Sequence, residues 1–364
     1  MYEGHNVIRS SGVYKDDPEY HRRVLAAFAT TNSISGVSRV LDLARTTARE
    51  HLSRARRWKS ENKDQAAGFD PIKLPDHDIP IEELIQYRKR TFAVRNTAEQ
   101  ARKLIDVTVK TLGPIGITHF GDPHIDDDGC DIVSLERDMK ITRNTEGMCA
   151  ANLGDLQNNW IGRLARLWAN QTTSANQAWK LVEWMVTYVD WLYIVSGNHD
   201  CWSGSGDPVK WMMKTQSGVY EPHGARLNLR FPNKTQIRIN ARHDFRGHSM
   251  WNPAHGPMKA IQGGWRDHIL TCGHKHTSFI GGPMKDPSSG LLSWAIRCAG
   301  YKVHDDYANQ EGLPDQNAFP ACVTIIDPDY GDSDVRLITV IPSVAEGADF
   351  LKFKRRQWAK NKNR

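Results

Sequence analysis

The stretch GNHD, residues 197–200, follows an apolar run, WLYIV, at residues 191–195. The run predicts a short buried strand, and such a strand ordinarily ends in a simple turn. Here it ends in an amide, an imidazole and a carboxylate in succession: Asn198, His199 and Asp200. Polar side chains in a row at the mouth of a buried strand indicate a functional site, provided that other strands end in the same way.

Four other predicted strands do run into side chains of this kind. IGITHF (115–120) precedes GDPH, CAANL (149–153) precedes GD, QIRINAR (236–242) precedes a lone His, and HILTC (268–272) precedes GHKH. In an open α/β sheet, binding sites form beyond the carboxyl ends of the strands. We therefore expect these loops to meet in one cluster. Its members are Asp122, His124, Asp155, Asn198, His274 and His276, with His243 or His248 as the lone His.

The donor types and their spacing suit a metal site. Oxygen and imidazole ligands together are typical of Mn²⁺, Fe²⁺ or Zn²⁺ rather than Ca²⁺. Side chains two residues apart on an extended loop lie on the same side, so Asp122 with His124, and His274 with His276, can each offer two donors. A glycine before the ligands lets the backbone turn sharply and approach closely.

The ordered set GDPH, GD, GNHD, a lone His and GHKH resembles the calcineurin-like metallophosphoesterase superfamily over residues 105–345. The resemblance implies an α/β fold, a layered sandwich of two mixed β-sheets flanked by helices. It also implies two divalent metal ions, with Mn²⁺ the first expectation and Fe²⁺, Zn²⁺ or Mg²⁺ as alternatives.

The resemblance assigns the ligands as follows. The first ion would be held by Asp122, His124 and His276, and Asp155 would bridge both ions. The second ion would be held by Asn198, His274 and a further His. For this last ligand we favour His243, which lies at a predicted strand end, over His248.

Catalytic roles also follow from the resemblance. Two cations at one site activate a water molecule for in-line attack on phosphorus and neutralise the phosphoryl oxygens. His199 would lie beside the ions and protonate the leaving oxygen as a general acid. Asp200 would orient the imidazole of His199. The implied activity is metal-dependent hydrolysis of phosphoric esters.

Residues 1–58 predict a small all-α module. Apolar residues recur with helical spacing in three segments, and the break between the second and third is about three residues long. The layout resembles a helix-turn-helix DNA reader, although Asp42 stands near the usual position of the turn glycine. A three-helix cap or a protein-docking module is the alternative. The candidate DNA-binding residues are Arg45, Arg49, Arg54, Arg56 and Arg57.

Charge is distributed unevenly along the 364 residues. The whole chain carries +6, whereas residues 1–58 carry +4 and residues 351–364 carry +7, so the part between them is mildly acidic. Basic ends suit a polyanionic partner such as DNA. We predict a linker and spacer helix over 59–104, the phosphoesterase domain over 105–345 and a basic tail over 346–364.

Two pairings of strands are also expected. IDVTV (105–109) and IGITHF (115–120) read as paired strands joined around Gly113 and Pro114. The last three apolar runs, LLSWAIRC (291–298), CVTIID (322–327) and DVRLITV (334–340), have no helices between them. They predict an antiparallel sheet that closes the domain.

The composition limits the compartment and leaves three functions open. Six scattered cysteines without a CxxC pair indicate reduced thiols, and neither a membrane span nor a secretory signal is evident. We expect a cytoplasmic protein of a bacterial or phage-infected cell, since the layout looks like that of a phage protein. The first hypothesis is a DNA nuclease or DNA-processing phosphodiesterase. The alternatives are a phosphoprotein or small-molecule phosphatase with a protein-docking module, and a DNA-binding regulator with a structural metal site.

Overall fold

The computed structural model describes residues 17–62, 78–201, 206–249, 251–310, 312–314 and 317–362. The chain divides into two compact units, Met1–Tyr87 and Arg88–Arg364. The division falls inside the predicted spacer helix, which is α4 (Ile81–Arg102) and has no buried residue. Most of the predicted linker, residues 63–77, lies outside the described residues.

The first unit contains three helices with a core of their own. They are α1 (Pro18–Thr31), α2 (Ile34–Val40) and α3 (Arg45–Glu61). Ser33 caps α2, its hydroxyl accepting from the Gly36 amide at 3.0 Å. The turn between α2 and α3 places Asp42 at φ +50°, a left-handed conformation that Asp tolerates better than most residues. The buried residues of the first unit's core are Val24, Ala27, Val37, Ala48, Leu52 and Ala55.

The second unit is built on two mixed six-stranded sheets, which confirms the predicted layered α/β sandwich. The strands are β1 (Ile105–Thr108), β2 (Ile115–Phe120), β3 (Met148–Asn152), β4 (Trp191–Ser196), β5 (Val219–Pro222), β6 (Gly224–Arg230), β7 (Gln236–Arg242), β8 (Ile269–Cys272), β9 (Phe279–Lys285), β10 (Leu292–Arg297), β11 (Ala321–Ile326) and β12 (Ile338–Ile341). Sheet A has the order β1-β6-β7-β8-β10-β9, and sheet B has the order β12-β11-β2-β3-β4-β5.

Helices flank the two sheets. They are α5 (Ile132–Asn144), α6 (Ala175–Tyr188), α7 (Asn198–Cys201), α8 (Pro208–Met213), α9 (His255–Gln262), α10 (Asp306–Gln310) and α11 (Val344–Lys362), with a 3₁₀ helix over Gly162–Asn170. None of the helices in the described part of the chain combines the length and the low polarity that crossing a membrane requires.

Parallel pairing brings the motif-bearing loops to one edge of each sheet. In sheet B, β2, β3 and β4 run parallel, so their carboxyl ends point the same way. In sheet A, β7 and β8 are parallel neighbours. Apolar side chains from both sheets, among them Ile117 and Ile239, form one core that holds the sheets together. GDPH, GD and GNHD therefore leave one sheet close to where His243 and GHKH leave the other.

The predicted pairing of β1 with β2 is wrong, and the predicted closing sheet is wrong in part. β1 pairs with β6 in sheet A and not with β2, because the segment at Gly113, where φ is +77°, carries the chain from one sheet to the other. β10 also belongs to sheet A, where it pairs with β8 and β9; only β11 and β12 form an antiparallel end of sheet B. The strand β9 escaped prediction because its Gly-Gly-Pro sequence weakens the strand pattern.

The predicted basic tail is a helix that belongs to the core of the second unit. In α11, Val344, Ala348 and Leu351 are buried, and these positions share one helix face. Gly347 lies so close to Val323 of β11 that a Cβ atom would come within 2.6 Å of it. The lysines and arginines occupy the remaining faces, so their charge did not reveal the apolar stripe.

We expect Leu351→Ala to lower the free energy of unfolding by about 2–5 kcal/mol, because it opens a cavity under α11. Urea denaturation measures this change. Gln357→Ala, at an exposed position of the same helix, should stay within about 0.5 kcal/mol of the parent chain. If both variants change the free energy of unfolding equally, the burial of Leu351 in the core is contradicted.

Candidate metal centre

The loops that follow β2, β3, β4, β7 and β8 meet around the carboxylate of Asp155. This side chain is buried, and its Oδ2 lies 3.2 Å from Nε2 of His243 and 4.0 Å from Nε2 of His124. Two donor groups share it: one contains His124 and His199, the other His243 and His274, and the donor atoms of each group lie within 4.8 Å of one another.

One side of Asp155 gathers the ligands expected for the second ion. Nε2 of His243 lies 2.9 Å from Oδ1 of Asn198 and 3.0 Å from Nδ1 of His274. Nδ1 of His243 is paired with the carbonyl of Leu153 at 2.9 Å, which fixes the ring so that Nε2 is turned toward the cluster. His248, five residues further along the same loop, is exposed, so His243 rather than His248 joins the cluster.

The other side gathers the ligands expected for the first ion. Nε2 of His124 faces Nε2 of His276 at 3.2 Å. Nε2 of His276 lies 3.6 Å from Oδ2 of Asp122. The same oxygen accepts a hydrogen bond from the His274 amide at 2.5 Å. The six other predicted ligands therefore lie together around the carboxylate of Asp155.

The chemistry of this donor set fits two divalent cations. Ring nitrogens meet in pairs at two points, His124 with His276 and His243 with His274. Oδ1 of Asp122 is fully buried and has no hydrogen-bond partner among the described residues. A buried carboxylate oxygen without a partner is costly, and a cation between these groups would satisfy it.

Backbone strain is concentrated in the same residues. His124, Asp155, His274 and His276 all have left-handed φ angles, between +41° and +70°. Residues other than Gly adopt this conformation uncommonly, although Asn, Asp and His do so more often than the rest. It costs about 1 kcal/mol or more per residue, and such strain clusters at functional sites. The loops are held in it by links such as the His124 amide to the Asp155 carbonyl at 3.0 Å.

Glycines before the ligands are required mainly because the loops approach so closely. A Cβ atom on Gly197 would lie 2.0 Å from Oδ1 of Asp155, and one on Gly273 would lie 2.5 Å from Oδ1 of Asp122. Of Gly154, Gly197 and Gly273, only Gly154 has a φ in the left-handed region, +114°. The predicted close approach is thus confirmed, whereas the sharp turn applies to Gly154 alone.

The electrostatics of the cluster keep two of its imidazoles neutral but leave His243 protonated. Burial lowers the pKa of His124 and lowers that of His276 to about 4, so both rings stay neutral. Burial opposes ionisation of Asp155, but His243 and its neighbours hold the pKa of this carboxyl below its usual range. Burial also opposes protonation of His243, yet Asp155 raises its pKa to about 10. A cation beside His243 must displace that proton.

His199 stands at the edge of the cluster. Its amide donates to Oδ1 of Asp155 at 2.9 Å, and its Nδ1 lies 2.5 Å from the carbonyl of Asn158. The ring packs edge-on against His124 and against Trp160, with centroid distances of 5.0 and 5.4 Å. Because a carbonyl can only accept, Nδ1 carries a proton, and Nε2 is the nitrogen that can gain and release one.

The role predicted for Asp200 is wrong. Its Oδ1 accepts from the amide of Leu156 at 3.1 Å and its Oδ2 from the amide of Gly197 at 2.8 Å, so both oxygens are used by the backbone and neither orients His199. Burial next to Asp155 raises its pKa to about 7. Asp200 is a positioning residue that ties the Asp155 loop to the GNHD loop.

Several supporting residues escaped sequence analysis. Arg297 is fully buried and donates to the Gly273 carbonyl and, at 2.9 Å, to Oδ1 of Asp244, so it ties the GHKH loop to the His243 loop. Lys302 lies 3.0 Å from Asp127 and 3.1 Å from Asp305, next to His276. The only sequence signal for Arg297 was its position at the end of an apolar strand.

Comparisons with known proteins give matches in structure alone. No protein-family model matches the sequence, and no curated protein matches it significantly. The structure is similar to that of the calcineurin-like phosphoesterase YfkN from Bacillus subtilis, with 11% identity, a TM-score of 0.37, and coverage of 68% of this chain and 97% of that one. It is also similar to a conserved uncharacterized protein of Streptococcus pneumoniae, a predicted phosphoesterase, with 11% identity, a TM-score of 0.28 and coverage of 64% and 100%.

We expect Asp200→Asn to weaken Mn²⁺ binding about tenfold or more, because an amide offers one acceptor where two backbone amides need one each. Calorimetric titration of the metal-stripped protein with Mn²⁺ measures the affinity. Asp207→Asn is the matched control, since Asp207 caps α8 through the Lys210 amide and should leave Mn²⁺ affinity unchanged. Unchanged affinity in Asp200→Asn would contradict the positioning role.

Proposed function

We propose that this chain is a metal-dependent phosphodiesterase with two divalent cations, and that its substrate is DNA. The observation that carries the proposal is the shared carboxylate of Asp155, with one histidine-containing donor group on each side. A site that holds two cations across one bridging ligand is suited to stabilising both the attacking and the leaving oxygen of a phosphoryl group.

The residues of the chain would divide the work as follows. His124, His276 and Asp122 would hold one cation, Asn198, His243 and His274 the other, and Asp155 both. The cations, Mn²⁺ by preference, would supply an activated water and neutralise charge on the phosphoryl oxygens. His199 would deliver a proton from Nε2 to the leaving oxygen, with its ring held by the Asn158 carbonyl.

The preference for DNA is supported by the surface of the first unit. The five arginines predicted to bind DNA, Arg45, Arg49, Arg54, Arg56 and Arg57, are all exposed on α3. Arg54 lies 3.8 Å from Glu50, and the guanidinium of Arg56 lies over the ring of Phe28 at 4.6 Å. Exposed guanidinium groups on one 17-residue helix would provide the phosphate contacts on which non-specific DNA affinity depends.

With Mn²⁺ present, we expect the purified protein to hydrolyse bis-p-nitrophenyl phosphate and to cleave DNA. Asp155→Ala should reduce both rates at least about 100-fold because it removes the bridging ligand, and His199→Ala should reduce DNA cleavage about 100-fold or more because it removes the acid. A panel of single-stranded DNA, duplex DNA, RNA and a phosphomonoester, run with Mn²⁺, Fe²⁺, Zn²⁺ and Mg²⁺, measures these rates.

The panel also separates the alternatives. Hydrolysis of the small diester with every form of DNA left intact would refute the nuclease assignment and favour a phosphatase of proteins or small molecules. Metal binding without any hydrolysis would refute the enzyme assignment and favour a structural site. Activity lost on treatment with a chelator and restored by Mn²⁺ supports the proposal.

For the first unit, we expect the triple variant Arg45→Gln, Arg49→Gln, Arg57→Gln to bind duplex DNA about tenfold or more weakly, with a smaller dependence of affinity on salt. Fluorescence anisotropy across a salt series measures both quantities. The control removes the same number of exposed charges from the neighbouring helices: Arg22→Gln, Arg23→Gln, Arg39→Gln. Equal losses in the two variants would contradict a specific role for α3.

A further inference from the structure

A second cluster of arginines lies on the outer face of sheet A. Along β6 and β7 the inward residues are apolar and buried, whereas the outward residues are polar. Helix α9 packs against the neighbouring strands β8 and β10. The outward side chains of β6 and β7 are Arg226, Asn228, Arg230, Gln236, Arg238, Asn240 and Arg242.

Three of these four arginines contact carboxylates. Arg226 and Arg238 share the fully buried Asp267, at 2.8 and 3.2 Å, and the contact from Arg226 is bidentate. Arg230 is paired with Asp106 at 2.7 Å. Asp267 therefore balances only one of the two charges that it contacts.

Arg242 is different from its neighbours. Among the described residues its hydrogen bond runs from Nε to Oδ1 of Asn240 at 3.2 Å, and it forms no ion pair with any of them. Its guanidinium lies 5.3 Å from the ring centre of Trp265, and that of Arg226 lies 5.1 Å from the same ring. Two cationic groups thus share one indole.

The position of this cluster relates it to the metal centre. Arg242 is the last residue of β7 and directly precedes the ligand His243. Successive side chains of a strand point to opposite faces, so His243 is turned toward the cluster around Asp155 while Arg242 is turned to the outer face at the end of β7. A half-buried cation that forms no ion pair of its own is stabilised by an anion that it can bind.

We propose that Arg242, with Arg226 and Trp265, forms a subsite for a backbone phosphate of a DNA strand whose scissile bond lies in the metal centre. This inference rests on the proposed function and deepens it. The planar guanidinium of Arg242 offers a fork of N–H donors that matches a phosphate. The indole holds both guanidinium groups in place through cation–π contact, so the subsite is preorganised for binding.

The test measures DNA binding by the full chain with the metal chelated, so that the result does not depend on catalysis. Fluorescein-labelled DNA, as a single strand and as a duplex, is titrated across a salt series. We expect Arg242→Gln to weaken binding about three- to tenfold and to reduce the slope of log affinity against log salt by about one unit, the value of one phosphate contact. Arg242→Lys should keep the slope and lose part of the affinity, because it keeps the charge and loses the fork.

The control is Arg336→Gln, which removes an exposed arginine paired with Asp334 at 2.6 Å on the loop between β11 and β12. It should leave affinity and slope unchanged. If Arg242→Gln, shown to be folded by its melting temperature, behaves like this control, the subsite is refuted, whether or not the protein cleaves DNA. If the slope falls but no diester is hydrolysed, the subsite stands and the proposed enzymatic function is the part that fails.

Discussion

The second unit is organised around one buried charge. Asp155 is 2% exposed, and a carboxylate removed from water is costly unless donors or cations surround it. Its partners come from both sheets: His199 follows β4 of sheet B, and His243 follows β7 of sheet A. The two sheets must therefore bring their edges together, and the shared apolar core between them keeps those edges in register.

The composition of the site was predictable because metal ligands leave a strong pattern at strand ends. Six of the seven predicted ligands lie in glycine-led motifs, and the seventh, His243, was predicted from its position at a strand end. The structure brings His243 rather than His248 into the cluster, and the Leu153 carbonyl fixes its ring. The role of Asp200 was not predictable. Adjacency in sequence suggested that it serves His199, but α7 turns its carboxylate toward the backbone amides of Leu156 and Gly197.

The fold was predictable where periodicity is local and less so where partners are distant. The helices of the first unit and the motif-bearing strands appeared as expected, since apolar spacing alone determines them. Which sheet receives β1 or β10 depends on contacts with residues far along the chain, such as Leu227 and Ile269. The apolar stripe of α11 was hidden because lysines and arginines dominate its composition, while only a few residues face the core.

Sheet B pairs strands that are far apart in the sequence, and this has a consequence for synthesis on the ribosome. β2 takes its place between β3 and β11, and Phe120 is opposite Ala321, so sheet B lacks an interior neighbour until the late part of the chain has emerged. The helices α1 to α3 contact residues close by in sequence and need no such delay. We therefore expect the nascent chain to carry a folded amino-terminal unit while the second unit still awaits β11, with apolar strand edges uncovered.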